Sequence, residues 1–556
     1  MKKLTLGKII LILIFGISFL LMVFAAKQTS QTTDEAVHLF AGYTYLKERD
    51  FRLDPEHPPL LKELGALPLL FQKDLHFQID GLWQKTGTFY YDSWQETRLL
   101  SEQFLYELGN NPGKLLFFSR LVFIFLTMIL GMFIYHWSRK IYGDKAGLLA
   151  LFLTLFFPNI LAHGILVNTD LGLTLFSFGT IYFFGKYLKH ANWYDLILSG
   201  LFLGLALASK YTAMILIPIL IILAIIKIIQ EKKFSMAKYI GGIFLISIIS
   251  VLIIWASYGF NLHPAPKISG TLTSEINFWS NTQVTLSPYF EQIFNQLRPV
   301  LFPDQYFKGL ILIFRHALGG HGAYLLGMTS NTGWWYYFPA AILFKTPIPI
   351  FILITLTIIG WKKIKSKDIF DEYLLLVPII IFLLFSMASK ADLGIRHILP
   401  IFPFLFIFIS KSINLIDFKK YNWKTIGFSA LILWYLLSAI LSYPNYIAYF
   451  NEFVGGSKNG YKILTDSNLD WGQDIYRIKD YIVNMKITPS YIVYPWDSDS
   501  ALEYYDINYP LLKPENTGAK GHIIMSATYY NTEAYKWLHK YPYKQITPGV
   551  FYIEIK

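Results

Sequence analysis

Long apolar runs separated by short polar loops make up most of the chain. The first run, Ile9 to Ala26, follows Lys2, Lys3 and Lys8. Further runs cover roughly 115–135, 147–162, 171–188, 196–209, 211–228, 238–258, 337–360, 372–389, 397–415 and 425–443. Many reach the roughly 18 residues that cross a bilayer core, so the pattern predicts about eleven transmembrane helices. Ala25 and Ala26 also fit the cleavage site of a signal peptide. The run is long for a signal's apolar region, however, and a retained anchor is expected.

The loops between the runs carry their own pattern. Arg139, Lys140 and Lys145; Lys186 and Lys189; Lys227, Lys232, Lys233 and Lys238; Lys362, Lys363, Lys365 and Lys367; and Lys411, Lys419, Lys420 and Lys424 fall in alternate loops. Basic loops stay inside, so the amino terminus is expected in the cytoplasm. Three long polar regions, 27–113, 259–335 and 444–556, then face outward. Residues 1–443 read as a transmembrane domain and 444–556 as a small extracytoplasmic α/β domain. In the latter, "YIVYPW", "GHIIMSA" and "GVFYIEIK" predict strands and "LDWGQDIYRIKDYIVNM" a helix.

Composition agrees. Of 556 residues, 54% are hydrophobic and only 15% charged, against roughly a quarter in soluble proteins. The chain is an α-helical polytopic protein of the cell membrane. Its net charge of +12 sits in the inside loops and reports orientation, not a nucleic-acid partner. With no cysteine, disulfides, thiolate metal sites and a cysteine nucleophile are excluded.

Candidate chemistry concentrates just beyond the first run, in "TTDEAVHLFAGYTYLKERDFRLDPEHPPLLKEL". Thr32-x-x-Glu35 fits a capping box, and Asp34 in a first turn complements the helix dipole. His38 shares a helical face with both acids, as an exposed polar face or a proton-handling cluster. Arg52, Glu56 and His57 follow. Pro58-Pro59 can open a helix, and the mostly apolar segment with Lys62 and Glu63 is too short to span. It suits a helix lying in the interface plane, holding acids and bases at headgroup height. Glu56, His57 and His38 also have ligand types suited to a divalent cation, although no paired spacing demands one.

That stretch strongly resembles the first outer loop of phospholipid-carrier-dependent glycosyltransferases of the family 39 type. These are related to protein O-mannosyltransferases and to the lipid A aminoarabinose transferase. The likeness extends through "FPNILAHGILVNTDLG", "GLALASKYTAMILIP", "GGHGAYLLG", "GWWYYFPAAILFKTPIP", "GIRHILPIFPF" and "YFNEFVGGSKNGYKILTDSNLDWGQD". The resemblance implies a GT-C fold. It also implies inverting transfer of a sugar, mannose-like hexose or pentose, from polyprenyl phosphate to an acceptor hydroxyl on the outer face. Asp34 matches the acid-base position and Asp170 the second acid. Asp170 reads equally as an N-cap, aided by Thr169. Where the aminoarabinose branch has Glu-Lys-Pro-Pro, this chain has Glu56-His57-Pro58-Pro59, so a phosphate role for His57 requires its protonation. The 259–335 region is too short for the inserted β-trefoil of the protein mannosyltransferases, so a protein acceptor is not implied.

Transfer needs a base for the acceptor hydroxyl and cations for the departing phosphate. Arg396, with His397, is the first candidate for phosphate because a guanidinium binds it bidentately. Arg120, Lys210 and Lys345 interrupt apolar stretches, where charge is either functional or snorkels to the headgroups. Trp334, Trp335 and the tyrosines of "YPNYIAYF" fit interfacial anchors. No cofactor is required by this chemistry, with a divalent cation as the open alternative. The expected partners are the sugar-carrying polyprenyl phosphate, membrane lipid and a lipid, glycan or protein acceptor. A sugar-lipid flippase or transporter, or a non-catalytic sugar-lipid-binding protein, would share the spans and charges. Transporters often show repeated halves, and no such repeat is evident here.

Overall fold

A computed structural model describes residues 5–78, 97–231, 236–261, 302–420, 422–495 and 499–556. The two expected outer regions 27–113 and 259–335 therefore lie partly outside the described residues, at 79–96 and 262–301.

Among the described residues, five helices are long and apolar enough to cross a membrane: Leu6–Lys27, Pro112–Tyr142, Tyr211–Gln230, Ile369–Ala388 and Trp423–Leu441. Tyr337–Lys345 and Ile348–Ile364, bent by 104° at Thr346-Pro347, make a sixth if taken as one broken span. The chain is thus a multi-pass membrane protein. Of the remaining expected segments, 171–188 lies in the unbroken 22-residue helix Thr169–His190 and 238–258 in the 22-residue helix Met236–Ser257, while the other three are shorter or interrupted. The run 147–162 breaks because Pro158 disfavours helical backbone at Phe157, separating Asp144–Leu155 from Pro158–His163. The run 196–209 yields the 15-residue helix Trp193–Leu207, about 22 Å long against a core of about 30 Å. Near 397–415 the helix Ile401–Ser410 tightens into a 3₁₀ turn, Lys411–Leu415.

Burial follows the pattern expected in lipid. Leu6–Lys27 buries Ile14, Ser18, Met22, Ala25 and Ala26, one stripe at near four-residue spacing. This stripe faces Pro112–Tyr142 and Asp144–Leu155, while Leu13, Ile17, Leu20 and Phe24 stay exposed on the other side. An exposed apolar face is what a lipid-facing helix presents.

Helix Thr33–Glu48 follows the first span, and Pro58-Pro59 leads into the short helix Leu60–Ala66 and a 3₁₀ turn, Leu67–Phe71. Leu67, Leu70 and Phe71 are exposed, which suits a segment lying along a membrane surface. The two helices touch backbone to backbone. A Cβ at Gly42 would fall 2.0 Å from the carbonyl oxygen of Lys62, so only glycine permits this approach.

After the helix Asp304–Gly319 comes a small hairpin, β1 (Ala323–Leu325) with β2 (Met328–Ser330), whose Leu325 bridges to Leu464. The C-terminal region carries β3 (Tyr491–Val493), β4 (Gly521–Ser526), β5 (Tyr543–Thr547) and β6 (Val550–Ile555). They form one sheet in the order β3-β4-β6-β5, with only the β3–β4 pair parallel. Helix Ile475–Met485 buries Ile475, Ile478 and Ile482 from its apolar face.

Candidate active site

Asp34 lies in the first turn of Thr33–Glu48, and its side chain keeps 27% of its surface exposed. The entry to that helix is held by a distant segment. Ser30 N donates to Gln473 O at 3.1 Å and Thr33 N to Trp471 O at 2.9 Å. Asp34 is therefore placed by the turn 466–474 as much as by its own helix.

The same turn places Arg396. Ile395 N donates to Asn468 Oδ1 at 3.0 Å, fixing the 3₁₀ turn Ile395–Ile398. The Arg396 guanidinium lies 4.2 Å from the Trp471 ring centroid, a cation–π stack, and its Nε donates to Ser467 Oγ at 3.2 Å. From that seat it reaches Asp34 Oδ2 at 3.3 Å and Asp170 Oδ2 at 3.5 Å. Asp170 is fully buried, with Lys210 Nζ 2.5 Å from its Oδ1. The N-cap is not Asp170 but Asn168, whose Oδ1 accepts from Asp170 N and Leu171 N. Two carboxylates and two cations thus alternate as Asp34–Arg396–Asp170–Lys210.

This chain of charges borders a cavity of about 500 Å³. Asp34, Glu56, His57, Lys210, Arg396 and His397 line it, with His316 and His321 beside them. Asp466, Asp470, Trp471, Thr528, Tyr529 and Thr532 close the C-terminal side. Burial, then the charges of Asp54 and Asp34, pushes the Glu56 carboxyl up to about 8. Burial also raises Asp466, and burial with the Asp474 charge raises Asp470 to about 7. The lining thus carries fixed cations together with protonatable acids and hydroxyls. That combination suits an anionic group joined to a hydroxyl-rich one.

Several expected site residues face elsewhere. Glu35 and Arg120 pair inside the protein. Arg120 Nε donates to Glu35 Oε1 at 2.8 Å and its remaining donors go to Glu35 Oε2, Ala26 O, Thr29 O and Ser30 O. Glu35 also accepts from Thr32 N at 2.9 Å, as the capping box requires, and from Val167 N at 3.0 Å. With all five guanidinium donors used, Arg120 has none left for phosphate. Burial would raise the Glu35 carboxyl, but the guanidinium and hydrogen bonds hold it below its ordinary range. Lys345 Nζ donates to Ile447 O and Asn468 O at 2.6 and 2.5 Å, binding helix Tyr337–Lys345 to the C-terminal region instead of snorkelling. Lys62 Nζ donates to Tyr45 Oη, Asp54 O, Asp54 Oδ2 and His57 O, and Arg52 pairs with Asp50. His38 is buried, its Nδ1 3.0 Å from Val167 O. Glu35, His38, Arg52, Lys62, Arg120 and Lys345 thus do not line this cavity.

Sequence reasoning left Asp54 unremarked. It also assigned no role to "SNLDWGQD", which supplies Asp470 and Trp471 to the cavity and Ser467 and Asn468 to the setting of Arg396, with Asp466 just before it. The only signal was that motif's place in the resemblance, with "GGHGAYLLG" as the signal for His321. Among the described residues, the group able to converge on a metal ion is His38, Asp54 and His57. Glu56 stands outside it.

Residues 104–255 match a family model described as dolichyl-phosphate-mannose-protein mannosyltransferase. Over that stretch the chain is similar to the family the model describes. The matched stretch contains Arg120, Asp170 and Lys210, while Asp34 and Arg396 lie outside it on either side. No curated protein sequence matches the chain. Among solved structures, the chain is similar to ArnT from Cupriavidus metallidurans bound to undecaprenyl phosphate. That similarity has 11% identity and a TM-score of 0.49, over 98% of this chain and 97% of that one. The oligosaccharyltransferase AglB from Archaeoglobus fulgidus, in complex with an inhibitory peptide and a dolichol-phosphate, gives 13% identity, TM-score 0.46, and coverage of 98% and 74%. The S. cerevisiae Pmt1-Pmt2 complex bound to the sugar donor gives 12% identity, TM-score 0.47, and coverage of 79% and 89%. At these identities the roles of residues in this chain rest on its own geometry.

Proposed function

We propose that this membrane protein is a glycosyltransferase of GT-C architecture that moves a mannose-like hexose or pentose from a polyprenyl phosphate to an acceptor hydroxyl, on the outer face and with inversion. The observation that carries this reading is the placing of Asp34, partly open to the cavity, against a guanidinium that also holds buried Asp170. The carrier phosphate binds Arg396, with Lys210 behind it, where charge develops as the sugar–phosphate bond breaks. Phosphate competes with Asp34 for the guanidinium and frees that carboxylate. Asp34 then accepts the acceptor's proton as its oxygen attacks the anomeric carbon opposite the leaving phosphate. The transition state resembles an oxocarbenium ion, as in glycoside hydrolysis. Asp170, kept ionised by Lys210 and Arg396, orients both cations and does not itself exchange protons. Asp466, Asp470 and Thr528 offer partners for hydroxyls of the sugar or acceptor. The C-terminal region 444–556 stands outside the cell in this reading.

The test is purified protein in lipid with a panel of polyprenyl-phosphate sugars and envelope extract, following free carrier phosphate and labelled product. Transfer should occur with one donor class and fall by at least 100-fold in Asp34→Asn, with donor binding retained. Folded protein that binds these donors but turns none over would support sugar-lipid binding or flipping instead.

A further inference from the structure

Beside the cavity, three side chains from separate pieces of backbone converge without completing one another's hydrogen bonds. His38 comes from the middle of helix Thr33–Glu48, His57 from the turn before Pro58, and Asp54 from a residue in the left-handed region at φ 43°. His38 Nε2 lies 3.6 Å from Asp54 Oδ2, and His57 Nδ1 lies 3.6 Å from Asp54 Oδ1. Both separations are too long for hydrogen bonds. The buried His57 Nδ1 has no hydrogen-bond partner.

The surroundings decide which atoms carry lone pairs. His38 Nδ1 lies 3.0 Å from Val167 O, a carbonyl that can only accept, so that nitrogen is the donor. In a neutral imidazole the other nitrogen, Nε2, then aims its lone pair at the Asp54 carboxylate. Facing lone pairs repel unless a proton or a metal cation stands between them, and a metal cation also serves the unpartnered His57 Nδ1. The carbonyl bond at the far nitrogen is also the second-shell contact that orients metal-binding histidines. For zinc, bonds of about 2.0–2.2 Å at the tetrahedral angle put adjacent ligand atoms about 3.3 Å apart. The 3.6 Å separations, one to each Asp54 oxygen, are close to that, and one ligand atom from each of the three residues lies within 4.8 Å of the others.

We infer that His38, Asp54 and His57 form a binding site for a divalent metal ion of the zinc type. Two imidazoles and one carboxylate favour zinc-like ions over magnesium or calcium, which take oxygen ligands. Three protein ligands leave a fourth position for water or a substrate oxygen. Lys62 Nζ, 3.2 Å from Asp54 Oδ2 and bonded also to the carbonyls of Asp54 and His57, braces the loop. Its charge weakens the site, while Asp54 Oδ1 remains directed at His57. Because His57 also lines the cavity, the ion sits at the cavity wall. Resting on the reading of the previous subsection, an oxygen of the carrier phosphate is then a candidate fourth ligand.

Metal binding is read without turnover, so its failure is separate from failure of the transferase reading. Full-length protein in lipid nanodiscs, freed of metal by a chelator, is titrated with cobalt(II), whose visible absorption reports tetrahedral coordination. Zinc content is measured on the reloaded protein. One equivalent should bind to the original and to His321→Ala, which alters a neighbouring pair with ring nitrogens 3.1 Å apart. Affinity should fall at least tenfold in His57→Ala and in His57→Gln, the latter preserving volume if the former fails to fold. Absence of a cobalt band in the original, undiminished binding by folded His57 variants, or loss of binding in folded His321→Ala would each overturn the assignment.

Discussion

Arg396 is the residue on which the proposed chemistry turns, because it touches both Asp34 and Asp170. Its flat guanidinium stacks on Trp471 while its donors fan out in one plane, and a lysine ammonium reproduces neither feature. Arg396→Lys should lower kcat/KM for the donor about 100-fold, equivalent to roughly 2.7 kcal/mol of transition-state stabilisation. Steady-state kinetics with saturating acceptor would show it, and an unchanged value would remove the guanidinium from phosphate contact. Asp470 makes a different prediction at the same scale. Burial first, and the Asp474 charge second, raise its carboxyl to about 7, above the ordinary carboxylate range. Between roughly pH 4 and 7 the folded protein therefore binds a proton that the unfolded chain has released, and stability falls as pH rises through that window. Asp470→Asn removes this titration. Thermal melts should show a smaller loss of Tm between pH 5 and 8 in the variant, and parallel curves would count against the raised carboxyl.

At the scale of elements, the pair Glu35–Arg120 ties helix Thr33–Glu48 to the span Pro112–Tyr142 and to the approach to helix Thr169–His190 through Val167 N. Glu35→Ala would leave a buried guanidinium with carbonyls alone, and breaking a buried pair costs about 3–5 kcal/mol. The variant should melt markedly lower and reconstitute poorly. Asp34→Asn loses only a partly exposed contact, worth about 1 kcal/mol or less, and should melt close to the original. Adjacent acids would then divide cleanly between folding and chemistry. The sequence contained half of this division. Thr32-x-x-Glu35 and Pro58-Pro59 announced a capped helix and a short helix, because caps and proline act within a few residues. The Arg120 partnership, 85 positions away, and the Arg396–Asp34 contact, 362 away, leave no periodic trace. Apolar runs likewise marked where helices lie, but not that 147–162 breaks at Phe157-Pro158 or that 196–209 stops short of spanning length. Those limits come from backbone chemistry at single residues and from packing against distant segments.

The whole molecule is organised so that one turn outside the spans sets the site within them. Residues 466–474 hold the start of the Asp34 helix through Trp471 O and Gln473 O, and the Arg396 turn through Asn468 Oδ1. Lys345, at the end of helix Tyr337–Lys345, donates to Asn468 O, so the broken span is fastened to the same point. Asn468 Nδ2 completes the junction by donating to Tyr337 Oη at 3.0 Å. Asn468 is buried and does not border the cavity, which makes it a probe of positioning as distinct from contact. Asn468→Ala strands the backbone N–H of Ile395 without its acceptor, a loss of about 1–3 kcal/mol for a buried donor. The Ile395–Ile398 turn should relax and carry Arg396 out of line with Asp34. Turnover should then drop between tenfold and 100-fold, with a rise in KM for the donor and a change in Trp471 emission as the guanidinium leaves its ring. A lower Tm with unchanged turnover and emission would confine Asn468 to stability. The combined kinetic and spectral change would instead mean that the C-terminal region sets the distance between base and phosphate, so its register against the spans is part of the active site.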